Sequence, residues 1–248
     1  MGKQAIDQEH YERRWRELLL PCARVRAGKA GGSGTVLYSK DGSTFVLTNH
    51  HVVDGLIKVE DKWSSMLQRQ TKADVRATAD VEFFRYRWES RAVGATVYDA
   101  EIVAYDKDED LALLKLRSDE AAPAVAKLYP RGKENDLRIT MPIFAVGAGL
   151  GEAPVITEGR LAQFGREIDN REFWLSTAAT IFGNSGGAVF LALTNEFIGV
   201  PARIAVQMMG FSADAITHLS YSIPITRVYK FLEDQLFRFI YDSAFTEE

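Results

Sequence analysis

Cysteine is almost missing from this chain, which has one such residue, Cys22, among 248. A single cysteine excludes an intramolecular disulfide and favours a reducing compartment over a secreted role. The four histidines and this cysteine lack the spacing of a metal site, so we expect no metal and no other cofactor. Hydrophobic runs are also short, and none reaches the roughly 18 residues of a membrane helix.

Charge of one sign is not in large excess, because 34 acidic residues face 30 lysines and arginines and the net charge is −4. This balance differs from the strongly basic surface typical of nucleic-acid-binding proteins. The N-terminal residues carry several acids and have no continuous apolar core, so they do not predict a secretion signal. We therefore expect a cytoplasmic protein that binds neither nucleic acid nor membrane.

Glycine, by contrast, is concentrated around one serine, since residues 183–187 read Gly-Asn-Ser-Gly-Gly. Glycine permits backbone conformations closed to other residues, so this turn suits an exposed nucleophile. The turn can aim the main-chain N–H groups of Gly183 and Ser185 at one point, as an oxyanion hole requires. A glycine-rich turn alone is weak evidence, and the remaining chemistry must come from other segments.

Two such segments carry groups that would activate a serine. His50 and His51 follow one apolar run, and Asp110 opens another. A serine hydroxyl needs an adjacent base, usually imidazole, and the imidazole needs a carboxylate to hold its tautomer. The chain order His, Asp, Ser is that of the chymotrypsin-type arrangement and differs from the subtilisin and α/β-hydrolase orders.

With these motifs together, the chain resembles trypsin-like serine peptidases, above all the HtrA/Deg branch of the chymotrypsin fold. The resemblance covers residues 30–235. It is carried by residues 32–36, 45–52, 110–115, 176–187 and 221–225. It implies a serine endopeptidase that acts through an acyl-enzyme on a protein or peptide substrate. We expect no appended PDZ domain, because about 11 residues follow Phe237.

The resemblance implies a catalytic triad of His51, Asp110 and Ser185. His51, rather than His50, directly precedes the apolar pair at 52–53, as the family pattern requires. In an alternating strand end, only one of two adjacent side chains faces the serine. We interpret His50 as a surface or loop-packing residue.

Several neighbouring residues are given no catalytic role. Asp110 directly precedes the apolar run at 111–114, whereas Asp106 and Asp108 read as solvated loop acids. We interpret Ser33 and Ser176 as ordinary turn and strand residues.

Two positions beside the serine depart from related peptidases. Asn184 stands where trypsin-like zymogens have the aspartate that pairs with a newly cut N-terminus, and an amide cannot form that ion pair. The chain therefore resembles peptidases that need no N-terminal cleavage. Phe182 stands where the HtrA-like pattern usually has proline, and we leave open whether it shapes the site or is a buried anchor.

The resemblance also implies a substrate-binding set of Ala179, Thr180, Val200, Ala202 and Arg203. Ala179, six residues before the nucleophile, would form the base of the pocket for the residue preceding the cut. This base is not acidic, so we expect cleavage after small or medium apolar residues. Arg203 either brings a preference for acidic residues or is a solvated surface residue.

Short β-branched and aromatic runs recur along the chain and predict an all-β fold. With the resemblance, they imply two six-stranded antiparallel β-barrels (chymotrypsin-like) with N-terminal and C-terminal helices. Strands are predicted at 35–38, 44–48, 81–88, 101–104, 112–116, 142–146, 173–176, 188–191, 196–200 and 219–223. The predicted domains are a helical extension over 1–29, a double barrel over 30–225 with an insertion at 61–98, and a C-terminal helix over 226–248.

The N-terminal helix and the insertion are the candidate docking elements. We predict helices at 6–20 and 226–245, and the apolar stripe of the second either packs on the barrel or mediates self-association. The insertion is rich in aromatic residues, which either cover the barrel or form a substrate or partner surface. The alternative to a working peptidase is a trypsin-like domain that acts mainly as a binding or scaffold module, with a latent site activated by a partner protein.

Overall fold

Strands dominate the computed structural model, which describes residues 7–66, 68–209, 212–242 and 244–245. The strands in chain order are β1 (Cys22–Ala27), β2 (Ala30–Lys40), β3 (Ser43–Thr48), β4 (Ile57–Ser64), β5 (Arg69–Arg76), β6 (Ala79–Arg87), β7 (Arg91–Asp106), β8 (Leu111–Leu116), β9 (Pro142–Gly147), β10 (Val155–Ile168), β11 (Arg171–Ser176), β12 (Ala188–Leu191), β13 (Glu196–Met209) and β14 (Ser212–Pro224). The helices are α1 (Gln8–Arg14), α2 (His50–Val53) and α3 (Ile225–Asp234).

Twelve of these strands form two closed antiparallel barrels of six, so the predicted all-β, chymotrypsin-like fold is confirmed. The first barrel has the order β1-β2-β3-β8-β7-β6 and the second has the order β10-β11-β14-β13-β12-β9. Most strands were predictable from their β-branched and apolar runs, because a strand that is buried on both faces is apolar at nearly every position. In β8, for example, five of the six residues are buried.

The hydrophobic core joins the two barrels. Leu47 and Leu113 of the first barrel belong to the same buried cluster as Ile143 and Phe190 of the second. A separate cluster fills the interior of the first barrel. Side chains packed at this density resist displacement, so the cleft between the barrels has fixed walls.

The first barrel begins earlier than predicted. Strand β1 lies inside the segment assigned to a helical extension, and it pairs with both β2 and β6. Its charged residues Arg24 and Arg26 alternate with buried Ala23 and Val25, which is the period-two pattern of a half-buried strand. Strand β10 was also missed, because most of its side chains are exposed and show no apolar alternation.

The predicted insertion is smaller than residues 61–98. Strands β6 and β7 belong to the first barrel, whereas β4 and β5 pair only with each other as a separate ribbon. The aromatic residues divide accordingly, since Phe83 is buried in the barrel and Tyr86 meets Trp15 edge-on. Trp63 and Trp88 are 62% and 79% exposed. Phe83 therefore fits the reading in which the aromatic residues cover the barrel, whereas a substrate or partner surface at Trp63 and Trp88 stays a prediction.

The terminal helices are shorter than predicted. After α1 the chain continues as a π-helix over Trp15–Leu19, and residue 6 lies outside the described residues. Helix α3 ends at Asp234, and Leu236 then takes a left-handed conformation (φ 66°) that turns the chain. The apolar stripe of α3 packs in the main core. No helix among the described residues is long and apolar enough to cross a membrane.

Candidate active site

Three chain turns bring the predicted triad residues to the cleft between the barrels. His51 lies on α2, which follows β3, and Asp110 ends the turn before β8. Both residues belong to the first barrel. Ser185 lies on the turn between β11 and β12 of the second barrel. His51 and Ser185 line the same cavity.

The Asp110 carboxylate holds His51 from two directions. Its oxygens lie 3.0 and 2.9 Å from Nδ1 of the imidazole, and Oδ1 also accepts the backbone N–H of His51 at 3.0 Å. The side-chain amide of Asn49 donates to the backbone carbonyl of Asp110 at 2.8 Å. This arrangement fixes the orientation of the ring and leaves Nε2 as its free nitrogen.

The side chains of the two adjacent histidines point in different directions, but not for the predicted reason of strand alternation. They lie on a helix rather than at a strand end, so successive side chains are separated by a helical rotation. His50 is buried against the ring of Tyr105, with 5.3 Å between ring centroids. Burial lowers the pKa of His50, so this imidazole stays neutral at neutral pH.

The side chain of Asp106 shapes the turn before Asp110. Oδ1 of Asp106 accepts the N–H groups of Asp108 and Glu109, at 2.8 and 2.9 Å. Asp106 therefore shapes the turn and is more than a solvated acid, whereas the side chain of Asp108 is 82% exposed as predicted. Asp110 itself has a positive φ of 53°, an uncommon conformation that this turn imposes.

Helix α3 holds the same turn from the second barrel. Nε of Arg227 donates to the Glu109 carboxylate at 2.5 Å, and Nη2 donates to the Glu109 carbonyl at 3.0 Å. Nη1 donates to the carbonyl of Glu172 at 2.9 Å, and the guanidinium lies over the Phe173 ring. Sequence reasoning missed this contact because nothing local to residue 109 or residue 227 signals it.

The turn that carries Ser185 depends on its glycines. Gly183 has a φ of 101°, and a Cβ there would lie 2.5 Å from the carbonyl oxygen of Ala148. A Cβ on Gly186 would lie 2.2 Å from the carbonyl oxygen of Ser33. Only glycine fits at these two positions, which explains the glycine-rich motif.

Asn184 stabilises this turn through its side chain. It is buried, and its Oδ1 accepts the N–H of Ile181 at 3.0 Å. Among the described residues, the N–H groups of Gly183 and Ser185 have no hydrogen-bond acceptor. These are the two donors that the sequence singled out for an oxyanion hole.

The Ser185 hydroxyl points towards strand β13. Its recorded partner among the described residues is the carbonyl oxygen of Ala202, at 3.5 Å. Ala202 lies at an irregularity in the pairing of β13 with β14, between Pro201 and Arg203. The N–H of Gly186 donates to the carbonyl of Pro201 at 3.1 Å, so β13 is attached directly to the serine turn.

A cavity of about 270 Å³ opens beside Ser185. It is lined by His51, Thr180, Ile181, Phe182, Asn184, Ser185, Pro201, Ala202, Arg203 and Ile204. Of the predicted pocket residues, Ala179 and Val200 do not line it. Ala179 is exposed and its carbonyl accepts the hydroxyl of Thr157, whereas Val200 is buried in the barrel interior.

The remaining pocket residues have distinct surroundings. Thr180 is 3% exposed, and its hydroxyl has no hydrogen-bond partner among the described residues. Phe182 is 66% exposed, so the buried-anchor reading is wrong and its ring forms one rim of the cavity. Arg203 pairs with Asp169 at 2.7 Å and lies over the Phe173 ring. Both side chains of this ion pair are exposed, so the Arg203 charge stays open to solvent beside the cleft.

Comparison with known proteins assigns the chain to a peptidase family. A family model described as a trypsin-like peptidase domain matches residues 32–200. A probable periplasmic serine endoprotease, DegP-like, from Hahella chejuensis is 29% identical over 197 residues. That match covers 78% of this chain and 33% of the relative, so the chain spans about a third of the relative's length. The relative is named periplasmic, which does not support the cytoplasmic location expected from the sequence.

Two solved structures share the fold. The HtrA-type protease AlgW, solved with a tripeptide, has a TM-score of 0.66 at 19% identity, over 92% of this chain and 63% of the other. Deg5 has a TM-score of 0.63 at 22% identity, over 92% of this chain and 95% of the other. The family match spans β2, the two elements that carry His51 and Asp110, and the serine turn. The chain therefore belongs to the trypsin-like peptidase domain family, with relatives of the HtrA/Deg type.

Proposed function

We propose that the protein is a serine endopeptidase that cleaves peptide bonds through His51, Asp110 and Ser185. The observation that carries this proposal is the contact between the Asp110 carboxylate and Nδ1 of His51, in the cleft that holds Ser185. A histidine held in this way presents Nε2, the nitrogen that serves as general base for a serine. The family supplies independent support for a peptidase.

The reaction would proceed in two halves. Ser185 Oγ attacks the scissile carbonyl carbon, its proton passes to Nε2 of His51, and the N–H groups of Gly183 and Ser185 bind the oxyanion. The imidazolium then gives that proton to the departing amine, and the acyl-enzyme remains. Water attacks the acyl carbon with His51 as base again, which releases the acid and restores Ser185. Asp110 orients the imidazole and stabilises its charged form without taking the proton.

The Ser185 hydroxyl has to turn before it can react. Its contact with the carbonyl of Ala202, at 3.5 Å, lies at the long limit of a hydrogen bond and so opposes rotation only weakly. Hydrogen bonds between nucleophile and base commonly tighten when substrate binds. We expect rotation about χ1 of Ser185 to bring Oγ to Nε2 of His51 in the substrate complex.

The cavity favours cleavage after small or medium apolar residues. Its volume of about 270 Å³ is modest, and Thr180 and Ile181 supply an uncharged wall. Arg203 pairs with Asp169 at the edge of the cavity, so an acidic substrate side chain would have to compete with Asp169 for the guanidinium. The substrate backbone would lie along β13 at residues 202–204 and extend the sheet.

Labelling with a fluorophosphonate tests this proposal directly. The purified protein, its Ser185→Ala variant and heat-unfolded wild type are incubated with the probe, and the adduct is mapped by mass spectrometry. We expect an adduct on Ser185 in folded wild type alone, because phosphonylation needs both the activated serine and the oxyanion donors. A folded wild type that takes no label would contradict the proposal and favour the latent binding module that a partner activates.

A further inference from the structure

We infer that Ser33, on a strand of the opposite barrel, is a positioning residue that preorganises the oxyanion hole; this inference rests on the proposed function. Ser33 lies in β2 and is fully buried. Its Oγ donates to the carbonyl of Gly183 at 2.6 Å and accepts the N–H of Ala148 at 2.7 Å. Its own N–H donates to the carbonyl of Ser185 at 2.8 Å, so both sides of the serine turn are bonded to this one residue.

The carbonyl groups of the serine turn are all anchored, and Ser33 supplies half of the anchors. Each carbonyl oxygen of residues 182–185 accepts a hydrogen bond. In chain order, the donors are the N–H of Leu150 at 2.7 Å, the hydroxyl of Ser33, the N–H of Gly187 at 3.0 Å and the N–H of Ser33. Of these four, the Ser33 hydroxyl is the one side-chain donor.

Anchored carbonyls determine where the free N–H groups point. In a trans peptide the C=O and N–H are on opposite sides of the bond. Because the carbonyl of Phe182 is bonded to the loop that contains Leu150, the N–H of Gly183 faces away from that loop. Ser33 fixes the next peptide plane through the Gly183 carbonyl, so the φ of 101° at Gly183 lies between two fixed planes.

The Ser33 hydroxyl also connects this turn to the neighbouring loop. By accepting the N–H of Ala148, it holds the segment that supplies the Leu150 donor two residues later. The backbone carbonyl of Ser33 in turn accepts the hydroxyl of Thr48, at the end of the strand before His51. One residue therefore aligns the oxyanion donors with the half of the site that carries the base.

A Ser33→Ala variant tests this role, with Ser176→Ala as the matched control. Ser176 is equally buried and also loses a side-chain hydrogen bond, at 2.9 Å to Ser220, but its hydroxyl has no contact with the serine turn. Thermal unfolding gives the stability loss of each variant. Turnover is measured on a peptide p-nitroanilide with alanine or valine before the cleaved bond, and binding is measured with a peptide aldehyde whose oxygen occupies the oxyanion hole.

We expect Ser33→Ala to lower kcat by about 10- to 100-fold with KM within about twofold, since loss of one oxyanion donor outright costs about 100- to 1,000-fold. Aldehyde affinity falls by about tenfold or more, because the aldehyde adduct uses the same donors. Ser176→Ala keeps kcat within about threefold of wild type although it also loses a buried hydrogen bond. Equal kcat losses in the two variants would overturn the inference, because Ser33 would then act only on stability.

A second variant keeps the test decisive if Ser33→Ala does not fold. Ser33→Cys retains a weaker donor at the same position, and we expect its kcat to fall by about three- to tenfold with KM unchanged. A wild-type kcat in Ser33→Cys would reject the inference. A wild type that neither turns over the peptide nor takes the fluorophosphonate label would reject the proposed function instead, which separates the two failures.

Discussion

Removal of the Arg227 guanidinium should destabilise the protein strongly. The side chains of Arg227 and Glu109 are each 12% exposed, so Arg227→Ala leaves a nearly buried carboxylate without its 2.5 Å partner. Breaking a buried pair from one side costs about 3–5 kcal/mol. Arg171 lies 3.6 Å from the same carboxylate and partly compensates, so we expect a loss of about 3 kcal/mol.

For a protein of this length, each kcal/mol lowers the melting temperature by about 2–4 °C, so Arg227→Ala should melt about 6–12 °C lower. Differential scanning calorimetry measures this shift. Arg238→Ala is the matched control, because its ion pair with Asp242 is exposed and should contribute less than about 1 kcal/mol.

The double variant Arg227→Met, Glu109→Leu separates the ionic effect from lost packing. Removing both charges eliminates the unpaired carboxylate, so at least about half of the lost stability should return. A drop of less than about 2 °C in Arg227→Ala would refute the estimate. A double variant that melts as low as the single variant would show that the lost hydrogen bonds to the Glu109 and Glu172 carbonyls and the lost packing over Phe173, and not the charge, are responsible.

Four further outcomes are expected. Asp110→Asn should lower kcat by about 10⁴-fold with the fold retained, because the amide favours the wrong imidazole tautomer; a normal pH–rate profile at normal kcat would contradict this. Burial raises the pKa of the Cys22 thiol to about 12, so iodoacetamide at about pH 8 should modify it only after unfolding in urea, as followed by mass spectrometry. Thr180→Val should raise the melting temperature, because it removes a buried hydroxyl without a partner among the described residues. A lower melting temperature in differential scanning calorimetry would contradict this reasoning. Replacing residues 60–73 by a short glycine-serine turn should leave peptide turnover within about threefold of wild type, because β4 and β5 pair only with each other. If turnover of the peptide and of a protein substrate fell equally, a docking role for this ribbon would be ruled out.

Local pattern was enough to predict much of the fold. The apolar runs of β3, β8 and β12 are buried on both faces, and such strands are recognisable without knowledge of their partners. Strand β10 was not predictable in this way, because its exposed side chains carry no alternating signal. The ends of the helices were not predictable either, because the turn after α3 depends on the packing of Phe237 and Phe239 against Phe45.

The sequence by itself determined the fold class, because its apolar and β-branched runs carry local constraints on backbone and burial, and the resemblance predicted His51, Asp110 and Ser185 as the triad. Only the tertiary structure decided which neighbours hold those residues. Ser33 and Gly183 are 150 residues apart, and Glu109 and Arg227 are 118 apart. The physical reason is that such hydrogen bonds depend on how two barrels dock and on which carbonyls remain unpaired there, and neither property is encoded in a local pattern.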